Sequence, residues 1–172
     1  MHDSPWLRRR LGVAGALFLV ASAFTLSACG GNGRGVTFDG NCTTELTVLT
    51  RESDPPGSAR LGMIATCDFG TVFGQLTGAS EPYLSPPNAS GAFSISGQMT
   101  YTDESGDRLF VSWAGSGQYN EARTAFTYTA SETYGNGTGD FTGSAGNGEI
   151  TGAGDLTELT GSYTTEGLIV LD

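Results

Sequence analysis

The stretch Gly91–Thr102, GAFSISGQMTYT, decides how this chain reads. Phe93, Ile95, Met99 and Tyr101 fall on one parity, and Ser94, Ser96, Gln98, Thr100 and Thr102 on the other. A period of two with one apolar face is the pattern of a half-buried strand. The polar turn Asp103-Glu104-Ser105-Gly106-Asp107 follows, and Arg108–Ala114 returns with Leu109, Val111 and Trp113 on one face. Arg123–Thr133 alternates again, with Phe126, Tyr128 and Ala130 opposing Thr127, Thr129 and Ser131. The run Gly135–Gly143, GNGTGDFTG, then breaks the chain into a turn. Phe141 is the one large apolar residue between Tyr134 and Ile150, which marks it for the core.

Upstream, Thr43–Arg51 and Arg60–Thr66 read as an opening hairpin around Asp54-Pro55-Pro56-Gly57. Phe69–Thr77 reads as a further strand, with Gly70 and Gly74 as bulges or as points of close packing with neighbouring backbone. Gly78–Asn88 holds three prolines and is expected to be irregular, with Tyr83 and Leu84 in a surface loop or folded over a barrel mouth. Gly115 and Gly117 suit a bend, and Gln118–Glu121 a turn. Downstream, Asn147–Gly154 is a thin glycine-rich strand, and Leu156–Asp172 supplies one or two more. The apolar end Leu168-Ile169-Val170-Leu171 is expected to close the barrel against the first strand. No long window carries a helical stripe. The expectation is an all-β fold, a small antiparallel β-barrel of eight strands, because closure removes exposed sheet edges. A two-sheet β-sandwich is the runner-up.

The amino terminus has its own pattern. Arg8-Arg9-Arg10 precedes an apolar run from Leu11 to Leu26, which ends in Leu26-Ser27-Ala28-Cys29. A cationic start, an apolar middle and small residues at the cut make a secretory signal peptide. The Leu-Ser-Ala-Cys ending resembles the lipobox of bacterial lipoproteins, which implies cleavage before Cys29 and acylation of its thiol. Residues 1–28 are then a removed leader, 29–39 a flexible glycine-rich tether, and 40–172 a single barrel domain. The expected partner is a lipid bilayer, reached through acylated Cys29. Gly30 rather than Asp after Cys29 points to the outer membrane in a Gram-negative host.

The leader takes three of the eight basic residues and the only histidine, leaving five arginines against seventeen acids and no lysine. Such a surface cannot neutralise a row of phosphates, which excludes nucleic acid as a partner. With Cys29 acylated, Cys42 and Cys67 pair most simply as a disulfide in an exported chain. It would join the segment before the first strand to the second strand. Serine, cysteine and lysine nucleophile schemes lack their usual partners once these assignments are made. No catalytic residue and no cofactor is assigned. Asp103, Glu104 and Asp107 form the densest acidic cluster, a weak Ca²⁺ candidate set against a polar hairpin tip. Tyr101, Trp113, Tyr128 and Tyr83 are candidates to line a ligand cavity, since such rings join an apolar body to a polar tip.

Gly135-Asn136-Gly137-Thr138-Gly139-Asp140-Phe141, then Ala145-Gly146-Asn147-Gly148, then Thr151-Gly152 resemble the allene-oxide-cyclase-barrel-like superfamily, which includes the plant dirigent proteins. Relatives often read Gly-Thr-Gly-Arg-Phe in this region, and Asp140 stands at the arginine. The resemblance implies an eight-stranded antiparallel barrel. It carries over no catalytic residue.

Three functional readings follow. The first is a non-catalytic, membrane-anchored lipoprotein that binds a small apolar or aromatic molecule inside the barrel or at its mouth. The second is a structural or protein-contact envelope lipoprotein with a filled core. The third is an isomerase or cyclase of the barrel type. An interior cavity lined by tyrosines separates the first from the second, and a lone buried acid within it favours the third.

Overall fold

The structure is a computed structural model that describes residues 33–49 and 54–171. The leader and Cys29 lie outside the described residues. Nine strands form: β1 Arg34–Leu49, β2 Ala59–Asp68, β3 Gln75–Ser80, β4 Tyr83–Leu84, β5 Ala92–Thr102, β6 Arg108–Tyr119, β7 Ala125–Gly135, β8 Ala145–Asp155 and β9 Thr160–Leu171. Two short helical turns join strands among the described residues: α1, Gly70–Phe73, between β2 and β3, and a 3-10 turn, Gly139–Phe141, between β7 and β8.

Every strand pairs antiparallel, in the order β1-β9-β8-β7-β6-β5-β3-β2, and β2 returns to β1. The ring of eight is therefore closed, which decides for the barrel against the sandwich. The ninth strand, β4, lies between β2 and β5 and resumes the place of β3 after a break at Glu81 and Pro82. β1 meets β9 from Arg34 opposite Leu171, but meets β2 only from Asn41 opposite Asp68. That offset is the stagger a tilted, closed barrel requires.

The interior follows one packing rule. Inward rings lie over glycines directly across the neighbouring strand. Phe93 faces Gly117, Trp113 faces Gly97, Tyr101 faces Gly78, Phe126 faces Gly154 and Tyr128 faces Gly152. A β-carbon at Gly152 would fall 2.6 Å from the Tyr128 ring, and one at Gly117 2.3 Å from Phe93. Alternating small and large inward residues is how a narrow barrel fills its lumen. β6 continues without a break through Gly115 and Gly117 to Tyr119.

Three expectations are corrected. Arg34–Asp39, read as tether, belongs to β1, where Val36 lies opposite Ile169 and Phe38 opposite Gly167. Val36 and Phe38 supply the inward apolar parity that extends the strand. Cys42 is consequently inside β1 rather than ahead of it, directly across from Cys67 of β2, and the two are disulfide-bonded. The region after Phe69 is not a bulged strand. Gly70 (φ 60°) and Gly74 (φ 66°) take positive φ values and turn the chain into α1.

Two ends of the barrel result. α1, the β5–β6 turn and the loop 136–144 gather where β1 begins and β9 ends, the capped end. The proline-containing loop 85–91 and the turns at 120–124 and 156–159 lie at the far end.

Candidate functional site

Glu132 is the unusual residue of the interior. It sits on the inward parity of β7 between Ala130 and Tyr134 and is 2% exposed. Its Oε2 accepts hydrogen bonds from Tyr134 Oη at 2.6 Å and from Thr165 Oγ1. Its Oε1 is buried and has no hydrogen-bond partner among the described residues. Burial pushes the carboxyl above its ordinary range, while the bonds from Thr165 and Tyr134 oppose the shift. The neutral acid is thereby favoured, with Oε1 as the oxygen free to carry the proton.

Around it lies a polar cluster inside an otherwise apolar lumen. Tyr101 Oη and Tyr163 Oη are 2.8 Å apart, and Tyr163 Oη lies 3.3 Å from Cys67 Sγ of the disulfide. Burial holds Tyr101, Tyr134 and Tyr163 above the usual phenol range; neighbouring groups reinforce this at Tyr101, while hydrogen bonds to Tyr101 and Thr165 oppose it at Tyr163 and Tyr134. A void of about 10 Å³ adjoins the cluster, lined by Glu132, Tyr134, Thr165, Tyr101 and the rings of Phe38, Phe69 and Phe73. About one water is the most such a volume holds.

A second void of about 10 Å³ touches Trp113, Tyr128, Phe126 and Ile95. Trp113 and Tyr128 stack there with ring centroids 6.0 Å apart, and the Trp113 indole N–H has no partner. Of the four predicted ligand residues, Tyr101 thus joins the acid cluster, while Trp113 and Tyr128 pair at the second void. Tyr83 is on neither. It faces an open outer groove with Arg60, whose guanidinium carbon lies 5.3 Å from its ring centroid and which also pairs with Asp54 at 3.0 Å. Leu84, beside it, is fully buried in β4.

The acidic cluster serves the capped end's own loops. Asp103 Oδ1 accepts from the amides of Ser105 and Asp107 and from Ser105 Oγ, which together hold its pKa low. Asp107 Oδ2 accepts from the Asp140 amide at 3.0 Å. A β-carbon at Gly139, where φ is 55°, would collide with the Asp107 carboxylate at 1.9 Å. The Gly-Thr-Gly-Asp-Phe run is therefore a clamp on the β5–β6 turn, and it sets Phe141 against Phe73 at 5.7 Å. Among the described residues no group of three or more His, Cys, Asp or Glu gathers that could hold a metal ion.

The sequence reading missed Glu132, and a signal for it existed. The residue shares the parity of Phe126, Tyr128 and Ala130, so an acid there had to point inward.

Among solved structures, the chain is similar to a pterocarpan synthase dirigent protein, with a TM-score of 0.55 and 10% sequence identity over 84% of this chain and 89% of that chain. The fold is dirigent-like. At that identity the likeness concerns the barrel alone. No protein-family model matches the sequence, and no curated protein does. Within this dirigent-like barrel the one buried carboxylate among the described residues is Glu132, at the capped end. No helix among the described residues is long and apolar enough to cross a membrane.

Proposed function

We propose that this chain is an exported, lipid-anchored, non-catalytic barrel that holds one small, largely apolar molecule at its capped end. The observation that carries the reading is the unpartnered Oε1 of Glu132. A buried polar atom without a partner costs about 1–3 kcal/mol, and a carboxyl more. A purely structural lumen could do without that free oxygen, since only Oε2 serves Tyr134 and Thr165. Retained buried acids of this kind mark functional sites. Phe38, Phe69 and Phe73 supply an apolar wall, and Tyr101 and Tyr134 supply polar tips.

The anchor rests on the leader and Cys29. The acyl chains hold the barrel at the bilayer, and its acidic surface stays in water. In a host with two membranes, Gly30 sends it to the outer one. Cys29→Ala is expected to move the protein from the membrane fraction to the soluble fraction, with loss of the lipid mass. Retention in the membrane would refute the anchor.

The site is tested with prodan, an uncharged naphthalene with a single carbonyl acceptor, by fluorescence. Saturable binding that Glu132→Leu abolishes without loss of the cooperative melt supports the reading. Equal binding by both proteins, or none by either, refutes it. The small size of the two interior voids favours a second reading, a filled-core envelope protein that works through its outer wall. That reading is the outcome if no probe enters.

A further inference from the structure

α1 closes the capped end in an unusual way. Its hydrogen bonds turn back on its own segment. The Gly74 amide donates to Gly70 O at 3.1 Å, the Phe69 amide to Gly74 O at 2.9 Å, and the Gly70 amide to Asp68 Oδ1 at 2.8 Å. Rings make its attachment to the barrel. Phe73 lies 5.5 Å from Phe38 and 5.7 Å from Phe141, and Phe69 lies 5.7 Å from Tyr101. None of Gly70–Phe73 is buried.

The segment is bounded by two glycines of a particular kind. Gly74 has φ 66° and ψ −143°, a region that side chains with a β-carbon rarely enter. Nothing lies within 4 Å of a β-carbon built at either Gly70 or Gly74. Space does not require glycine at these positions, but the backbone does. Gly70 and Gly74 thus stand at the two ends of α1, in open surroundings and with the backbone freedom of glycine, where a hinge would absorb a change in φ and ψ.

Directly beneath α1, Phe69 and Phe73 share the lining of the small void with Glu132. The void, about 10 Å³, is too small for any organic molecule, and the Phe73 ring is part of its wall.

We propose that α1 is a hinged plug: rotation at Gly70 and Gly74 withdraws Phe73 from the mouth and admits an uncharged, planar, mostly apolar molecule whose one polar group meets the free oxygen of Glu132. The proposal rests on the binding reading above and adds its gate and ligand class. An anion is disfavoured because no cationic side chain lines the site, and a cation because burial pushes Glu132, its one possible counter-ion, toward the neutral acid. The polar group is an acceptor such as a carbonyl or ether, since Glu132 Oε2 is already taken by Tyr134 and Thr165 and the neutral acid donates from Oε1.

Two measurements on the full chain in detergent test it. In prodan titrations, Phe73→Ala is expected to bind about tenfold tighter than the parent, because the closed population no longer taxes binding. Adding Glu132→Leu to Phe73→Ala removes that gain. In hydrogen exchange on the unmodified protein, the amides of 69–74 are expected to exchange about 100-fold faster than those in the middle of β7, and prodan slows them. Equal prodan affinity for parent and Phe73→Ala overturns the gate but leaves the site. Exchange in 69–74 as slow as in β7 overturns the gate whether or not Phe73→Ala folds. Absence of binding by either protein overturns gate and site together.

Discussion

The two ends of the lumen are built by different rules. At the far end, Phe93, Tyr119 and Phe126 pack ring on ring, with Phe93 and Tyr119 at 4.6 Å, and Phe93 and Phe126 sit over Gly117 and Gly154. At the capped end, rings share the lumen with a carboxyl, a threonine hydroxyl and three phenols. The far end gains from close contact and excluded water. The capped end carries a desolvation cost that its own hydrogen bonds offset on one carboxyl oxygen only. A barrel needs the first arrangement to fold, and nothing about folding explains the second.

The sharpest way to break the far end is Gly152→Val. The added side chain would overlap the Tyr128 ring, so a loss of about 3 kcal/mol or more is expected in urea unfolding, at the upper range for overpacking. Replacing Cys42 and Cys67 by alanine should cost about 3 kcal/mol on the chain-entropy account of a cross-link, whose sequence separation here is 25. It should weaken both ends alike, because the bridge lies across β1 and β2 and touches Tyr163.

The capped end should answer to pH in a way the far end does not. Glu132 holds its proton in the folded state to a higher pH than in the unfolded chain. Its contribution is therefore complete below the ordinary value of 4.5 and is lost as pH rises through the raised folded value. Glu132→Gln keeps the acceptor for Tyr134 and Thr165 and cannot ionise. It should be more stable than the parent at pH 8 by about 1–3 kcal/mol and show a flatter stability profile above pH 5. Tyr101, Tyr134 and Tyr163, also raised, add a loss of stability as pH passes their ordinary value of 10.0. The smallest effect belongs to the clamp. Asp107→Ala removes the acceptor of the Asp140 amide in an exposed loop and should cost about 1 kcal/mol by thermal melting.

The strands were legible where parity is strict. Phe93 to Tyr101, Leu109 to Trp113 and Phe126 to Ala130 each announce an inward face, and the apolar end at Leu168–Leu171 announces closure. The disulfide was legible from the cysteine count and the expectation of an exported chain. α1 was not, since Gly70 and Gly74 give the same letters for a bulge as for two positive-φ turns. The ring-on-glycine rule was not, because it depends on register between strands and no single strand contains it. The acid cluster was half legible. Glu132 showed its parity, but Thr165 and Tyr163 come from β9, two strands away, and only the register of β7 on β8 and of β8 on β9 shows what lies near it.

Closure of β9 on β1 has a consequence for how the protein is made. The first and last strands of the described barrel must find each other, so the ring cannot seal until Leu171 is free to pair with Arg34. Contacts that far apart in sequence form slowly. During that wait the hairpin of β1 and β2, once stapled, is the piece able to stand with partners already in place. An oxidant present early in folding should speed closure of the ring, and a reducing one should leave an open, sticky sheet.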